Sequence, residues 1–203
     1  MNLTTNPRRL AGAAALALAL AATPAAALAC GGGEGDGGAG GGMVDKQACS
    51  TPWGSLVKEG VRHHISKQVV DVRSGQHACF DRLVIDLGGD GSGTTGYRVE
   101  YVDHVVADGS GLRVPLRGRA QLQLVVDAPA YDAQGDPTFT PAHPRELVAV
   151  DGYRTFRQVR WVGTFEGQTA IGIGVRARLP VRAFVLDDAS GRRLVIDVAH
   201  KWS

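Results

Sequence analysis

The sequence predicts an all-β protein, an antiparallel β-sandwich of about nine strands, behind an N-terminal export signal and a glycine-rich tether. Beyond Met43, apolar and polar residues alternate in short runs that are rich in β-branched and aromatic side chains. Turn-forming residues separate these runs, as in Asp108-Gly109-Ser110-Gly111. No sustained helical stripe with a cap follows Ala29. Together these observations favour a sandwich or barrel of short strands.

Residues 1–29 have the three parts of a secretory signal peptide. Arg8 and Arg9 precede an apolar stretch at residues 10–22, and the segment ends in Ala27-Leu28-Ala29, whose small residues suit a signal peptidase. The apolar stretch is too short and too rich in alanine to remain as a membrane anchor. The arginine pair leaves twin-arginine export open as a second route. We therefore expect an extracytoplasmic protein.

Cys30 directly follows the predicted cleavage site. The sequence Ala27-Leu28-Ala29-Cys30 resembles a bacterial lipobox, in which the cysteine thiol receives a diacylglyceryl group. Nine of the twelve residues at 31–42 are glycine, which predicts a flexible tether with a reach of about 20 Å. We expect residues 30–45 to connect a lipid on Cys30, inserted in the outer face of the cell membrane, to a folded domain at residues 46–203. Simple secretion is the alternative.

The charge balance argues against a nucleic-acid partner. The chain has 22 Lys+Arg and 20 Asp+Glu, and both surplus positive charges are Arg8 and Arg9. Removal of residues 1–29 leaves 20 basic groups (22 − 2) and 20 acidic ones. Nucleic-acid binding depends on clustered Lys and Arg side chains, and the mature chain has no such run.

If Cys30 carries lipid, Cys49 and Cys79 remain to form a disulfide in an oxidising compartment. The bond would close a loop of about 30 residues and stabilise the fold by roughly 3–4 kcal/mol. Two buried free thiols are the alternative. The spacing of the cysteines and histidines matches no metal-binding motif, so we expect neither a metal nor another cofactor.

Each predicted strand is a short run bounded by Gly, Pro, Asp or Ser residues. In chain order the predicted strands are residues 69–72, 79–87, 97–106, 120–126, 146–150, 155–165, 169–178, 181–186 and 193–199.

One hairpin allows a prediction of register. A two-residue turn at Glu166-Gly167 would pair residues whose numbers sum to 333. The Trp161 ring would then cover a cross-strand glycine, which stabilises a weak strand position; a flat glycine platform for a ligand ring is the alternative. The predicted cross-strand pairs are Trp161–Gly172, Val159–Gly174 and Gly163–Ala170.

One phrase occurs twice in the chain, as Arg-Leu-Val-Ile-Asp-Leu at residues 82–87 and as Arg-Leu-Val-Ile-Asp-Val at residues 193–198. This phrase is similar to one in the AMIN domain, a small β-sandwich attached to bacterial N-acetylmuramoyl-alanine amidases and secretins. Residues 49–200 more closely resemble the AMIN-like domain of actinobacterial (lipo)proteins, and the arginine-rich composition, with four lysines against eighteen arginines, agrees with that source. The motifs that carry the resemblance are Trp53-Gly54-Ser55, residues 77–84, residues 96–102, residues 128–132, residues 163–167 and residues 193–197.

The resemblance implies a role in the cell envelope. AMIN domains help to place amidases on the cell wall through contact with peptidoglycan. No amidase domain accompanies the match in this sequence, so we expect a monomeric, non-catalytic lipoprotein that binds peptidoglycan or another cell-wall component. A module that docks on an envelope enzyme or secretion component is the alternative. A third possibility is an enzyme without a recognisable motif; the chain has no Gly-x-Ser-x-Gly nucleophile motif.

If the domain binds glycan, aromatic and charged side chains on one sheet face are expected to do so. The first candidates are Tyr97, Arg98, Glu100 and Tyr101. Alternation places the two tyrosines on one face of their strand and Arg98 and Glu100 on the other. The alternative is that both tyrosines belong to the core and both charged side chains are solvated.

Overall fold

The computed structural model describes residues 49–60, 67–89 and 94–202, which all belong to one compact unit that begins at Lys46. Its strands in chain order are β1 (Lys58–Glu59), β2 (Gln68–Gln76), β3 (Phe80–Gly88), β4 (Tyr97–Val102), β5 (Val105–Val106), β6 (Arg113–Val114), β7 (Ala120–Val126), β8 (Phe156–Phe165), β9 (Gln168–Val175), β10 (Val181–Asp188) and β11 (Gly191–Ala199).

These strands form two antiparallel sheets and a small hairpin. The five-stranded sheet has the order β1-β4-β7-β9-β8, the four-stranded sheet has the order β10-β11-β3-β2, and β5 pairs with β6. Every pairing is antiparallel. The predicted all-β, antiparallel, sandwich-like fold is confirmed.

The hydrophobic core consists of alternate residues from both sheets, as expected for strands with one buried face. Fully buried side chains from the four-stranded sheet include Leu83, Ile85, Leu194 and Ile196; those from the five-stranded sheet include Leu122, Leu124, Ile171 and Ile173. Burial of each such side chain contributes about 2 kcal/mol relative to its exposure. Because side chains alternate along a strand, the residues between these core positions point to the outer faces of the sheets, where a ligand can bind.

The predicted strand at residues 146–150 is wrong. This segment is a loop along the edge of β8, where the Leu147 amide donates to the Val159 carbonyl (2.8 Å) and the Pro144 carbonyl accepts from the Trp161 amide (2.8 Å). The two bonds are three residues apart along the loop but two apart along β8, so the loop contacts this edge without forming a regular ladder. The predicted strand at residues 97–106 is divided by a bend into β4 and β5.

The turn between β8 and β9 is the predicted one. Glu166 and Gly167 have φ values of 47° and 81°, as a two-residue hairpin turn with two left-handed residues requires. Next to the turn, Gly163 lies opposite Ala170, as predicted.

Farther from the turn the predicted register is wrong. Val162 has no partner on β9, so the pairs from Trp161 to Gln158 are shifted by one residue, and a second irregularity at Arg157 shifts the Phe156–Val175 pair by two. Neither Trp161 nor Val159 therefore lies opposite a glycine. The observed pairs are Trp161–Ile171, Arg160–Gly172, Val159–Ile173 and Gln158–Gly174.

The outer face of the five-stranded sheet is overlaid by residues 103–119, which include β5 and β6 and which we call the covering segment. Side-chain amides of the sheet bind its backbone: Gln123 accepts from the Val106 amide and donates to the Val106 carbonyl, both at 3.2 Å. The Arg117 amide donates to Gln158 Oε1 (2.8 Å). Beneath the segment, Gly174 lies so close to the Arg117 carbonyl that a Cβ would overlap it. Glycine at this position is therefore required by the cover.

Candidate functional site

The outer face of the four-stranded sheet carries a buried carboxylate between two arginines. Asp197 lies on β11, between β10 and β3. Its neighbour on β10 is Arg182, and its neighbour on β3 is Arg82. Arg82 donates from Nε and Nη2 to the two Asp197 oxygens (2.7 and 2.9 Å), and Arg182 donates from Nε to Oδ2 (2.8 Å). The Asp197 side chain has no exposed surface. The hydrogen bonds to Asp197 raise the pKa of Arg82.

Three aromatic rings surround these guanidinium groups. The Arg182 guanidinium carbon lies 4.3 Å from the Trp53 ring centroid, 5.1 Å from that of Phe184 and 5.5 Å from that of Phe80. The Arg82 guanidinium carbon lies 5.1 Å from the Phe80 centroid. These distances are within the range of cation–π attraction, which fixes the cations in place. We call Trp53, Phe80, Arg82, Arg182, Phe184 and Asp197 the arginine–aromatic face.

The disulfide brings Trp53 to this face. Cys49 and Cys79 are bonded, with their Cα atoms 5.4 Å apart, so the predicted pairing is confirmed. Next along the segment, the Gly54 carbonyl accepts a hydrogen bond from the Val181 amide at the start of β10 (2.8 Å). The Trp53 ring meets Phe80 edge-on, with 5.7 Å between centroids. A depression of about 540 Å³ lies here, bordered by the disulfide, Trp53, Phe80 and Arg182.

The repeated phrase of the sequence forms the centre of the face. β3 and β11 are antiparallel neighbours, and the arginine of each copy lies opposite the aspartate of the other. Arg82 lies opposite Asp197, and Arg193 lies opposite Asp86. Only the first of these is an ion pair. Asp86 pairs instead with Arg73 (2.7 Å), and Arg193 pairs with Asp188. The two copies are thus aligned symmetrically, but only one of their two opposed Arg and Asp pairs forms an ion pair.

A comparison with known protein families identifies the family of this chain. The AMIN-like domain family matches residues 67–200, a range that includes both copies of the repeated phrase. The chain belongs to the AMIN-like domain family. This finding confirms the resemblance found in the sequence, and AMIN-like domains are in general extracytoplasmic, cell-wall-associated modules. A comparison with curated proteins finds no match.

The structure does not bring the four sequence-derived binding candidates of the AMIN-like domain together on one surface. The Tyr97 and Tyr101 rings pack against the core between the sheets, where Tyr97 donates to the Ala183 carbonyl (2.9 Å) and Tyr101 to the Leu179 carbonyl (2.8 Å). Burial raises the pKa of both phenols. Arg98 and Glu100 lie on the opposite face of β4. Tyr97 therefore joins the five-stranded sheet to β10, and Tyr101 joins it to the segment that precedes β10.

Arg98 is held between two carboxylates at the edge of the five-stranded sheet. It donates from Nε and Nη2 to Glu100 (2.7 Å each), and it also pairs with Glu59. Its hydrogen bonds raise the pKa of Arg98 and lower the pKa of Glu100. The cluster has one positive and two negative charges, the reverse of the arginine–aromatic face.

A buried His–Asp pair lies at the start of β3. His200 Nε2 is 2.9 Å from Asp81 Oδ1, and Asp81 Oδ2 accepts hydrogen bonds from the Thr155 and Phe156 amides (2.6 and 2.9 Å). The other ring nitrogen of His200 faces the Ala78 carbonyl at 3.2 Å. Both nitrogens and both carboxylate oxygens thus have partners within the fold. The pair ties β3 to β8 and to the C-terminal end of the domain.

The family motifs of the sequence include Trp53, Phe80, Arg82 and Asp197, but these motifs do not assign them to binding. Neither Arg182 nor Phe184 is among the sequence-derived candidates. The signal that could have found the site is the repeated phrase, since two antiparallel copies aligned over their full length place an arginine opposite an aspartate.

Several predictions concern residues beyond the described part of the chain or absences within it. The signal peptide at 1–29, the lipid on Cys30 and the tether at 30–45 lie outside the described residues. Within the described ranges, no helix has the length and apolar character needed to cross a bilayer. Among the same residues, no three His, Cys, Asp or Glu side chains are grouped to hold a metal ion.

Proposed function

We propose that this protein is a non-catalytic lipoprotein of the cell envelope whose AMIN-like domain binds peptidoglycan through the arginine–aromatic face. Membership of the AMIN-like family supports a cell-wall role. The observation that carries the assignment is that three aromatic rings and two arginines lie together on one outer sheet face. Residues 103–119 cover the outer face of the other sheet, but no described segment covers this face in the same way.

The side chains of this face suit a polymer of amino sugars and short peptides. Aromatic rings pack on the apolar side of a sugar ring, and guanidinium groups form directed hydrogen bonds to carboxylate and carbonyl oxygens. Trp53, Phe80 and Phe184 are partly exposed, and Arg182 keeps 38% of its side chain exposed. A ligand can therefore reach both kinds of group without any rearrangement of the core.

The proposal of a non-catalytic role is supported by the His200–Asp81 pair. This is the described pair that most resembles acid–base machinery, but its polar atoms are bonded within the fold. A general base needs a nitrogen within hydrogen-bond reach of a substrate proton. His200 is 8% exposed, and its contacts serve the fold.

The proposed anchor is a lipid on Cys30, joined to the domain through residues 31–45. A glycine-rich chain of this length spans about 20 Å, which would hold the domain close to the membrane. The mass of the mature N-terminal peptide tests this assignment. We expect the mass of an acylated Cys30, and an unmodified residue there would contradict the anchor and favour secretion.

Co-sedimentation of the mature protein with purified cell wall tests the binding. We expect the wild type to pellet with the wall and Trp53→Ala to bind at least about fivefold more weakly, since one stacking side chain contributes on the order of 1 kcal/mol. Trp202→Ala is the matched control, because Trp202 is 55% exposed and lies outside the face. Binding of the wild type no greater than that of an unrelated β-sandwich would refute the proposal.

A further inference from the structure

The charges of the arginine–aromatic face are not balanced. Arg82 and Arg182 both pair with one carboxylate, that of Asp197, so the cluster keeps one net positive charge. On the same face Arg73 pairs with Asp86 and lies beside Asp71, and Arg193 pairs with Asp188, so these neighbours add no excess positive charge. The excess charge therefore belongs to the two arginines at the aromatic rings.

We infer that this face recognises a carboxylate, and that the part of peptidoglycan bound there is the stem peptide next to a sugar rather than the neutral glycan chain. The inference rests on the proposed function and names the chemistry of its ligand. It depends on the excess charge, on unused hydrogen-bond donors and on the position of the arginines among rings.

Each guanidinium keeps donors for a ligand. Arg82 uses Nε and Nη2 on Asp197, and Arg182 uses the same two nitrogens. Within the described part of the chain, Nη1 of both residues has no hydrogen-bond partner. A guanidinium has five N–H groups, so each arginine retains donors beyond those that bind Asp197. Their planes are fixed by Asp197 and the rings, which reduces the entropy lost when a ligand binds.

The surroundings favour an anion over a neutral group. Rings on several sides of Arg182 reduce its contact with water and lower the local dielectric, which strengthens attraction to a negative charge. Hydrogen bonds between a guanidinium and a carboxylate are about twice as strong as neutral ones. A bound carboxylate would also bring the cluster to neutrality, two positive charges against two negative ones. A sugar hydroxyl gains only the weaker, neutral interaction.

The test compares binding of the mature wild-type protein to two forms of purified wall. One form is native, and in the other the free carboxyl groups are converted to amides, which leaves any phosphate groups and the glycan unchanged. We expect about tenfold weaker binding to the amidated wall, the equivalent of one lost charge-assisted hydrogen bond. Arg182→Gln should bind both forms equally weakly. The control Arg98→Gln, in the cluster with excess negative charge, should keep the preference.

The outcomes separate the two proposals. A wild type that binds native and amidated wall equally well would overturn the inference and leave wall binding intact. A wild type that binds neither form would overturn both. Because the comparison of the two wall forms uses the unmodified protein, it decides the question even if Arg182→Gln fails to fold.

Discussion

The two outer faces of this sandwich differ in what lies on them, and the difference shows how a β-sandwich separates structure from recognition. On the five-stranded sheet, the covering segment lies over glycine and glutamine residues that allow close approach and bind its backbone. On the four-stranded sheet, arginines stacked on aromatic rings take the corresponding positions. Small and amide-bearing residues suit a face covered by the chain itself. Arginines that keep unused donors suit a face that a ligand covers.

The charge clusters of the two sheets are also opposite. On the four-stranded sheet, Arg82 and Arg182 surround the buried Asp197, whereas on the five-stranded sheet Glu59 and Glu100 flank the half-exposed Arg98. A chain with 20 basic and 20 acidic groups after residue 29 is thus neutral as a whole but locally polarised. Local charge rather than net charge can then select a ligand.

The largest effect on the arginine–aromatic face should follow loss of the disulfide. In the double variant Cys49→Ser, Cys79→Ser, we expect the free energy of unfolding to fall by about 3–4 kcal/mol, because the unfolded chain is no longer cross-linked. Wall binding should fall with it, since the segment that carries Trp53 loses its covalent anchor. Denaturant unfolding measures the first effect and co-sedimentation the second. Reduction of the wild type should reproduce both, and an unchanged unfolding midpoint would contradict the prediction.

The covered face should be most sensitive at Gly174. Gly174→Ala places a Cβ against the Arg117 carbonyl, which must move and strain the covering segment, at a cost of about 2–3 kcal/mol. Gly172→Ala is the matched control. Its Cβ would meet the end of the Leu116 side chain at 2.9 Å, and a side-chain tip can move, so we expect a cost of about 1 kcal/mol. Thermal unfolding compares the two, and wall binding should survive both. Equal destabilisation would contradict the proposed role of the backbone contact.

The sequence allowed prediction of the features that depend on local pattern. Alternation predicts the strands of both sheets except the two-residue β1, and the parity of the cysteines predicts the Cys49–Cys79 bond. The register of β8 and β9 was not predictable, because one unpaired residue, Val162, shifts every later pair. The arginine–aromatic face was also beyond local pattern, since Trp53 and Arg182 are far apart in sequence and meet only in the fold.

The binding candidates on β4 show a further limit. Alternation correctly placed Tyr97 and Tyr101 on one face and Arg98 and Glu100 on the other. It could not show which face points inward, because tyrosine can be a core residue or a ligand platform. The structure resolves this through the phenolic hydrogen bonds to the carbonyls of Ala183 and Leu179 on the opposite side of the core.

The smallest effect should come from the cluster around Arg98, because its charges are partly solvated. Its hydrogen bonds lower the pKa of Glu100, so this carboxylate stabilises the fold at pH values above its ordinary pKa of about 4.3. That contribution is lost as the pH falls through the lowered pKa of the folded state. Glu100→Gln should therefore lower Tm by about 1–2 °C at pH 7 and leave it unchanged near pH 2–3. At neutral pH, added salt should reduce this Tm difference, because salt screens the ion pair.

Asp103→Asn, at an exposed carboxylate just beyond β4, is the matched control and should show no comparable change. A Tm difference for Glu100→Gln that is the same at both pH values would contradict an ion-pair origin, and wall binding should be unaffected because this cluster lies on the other sheet.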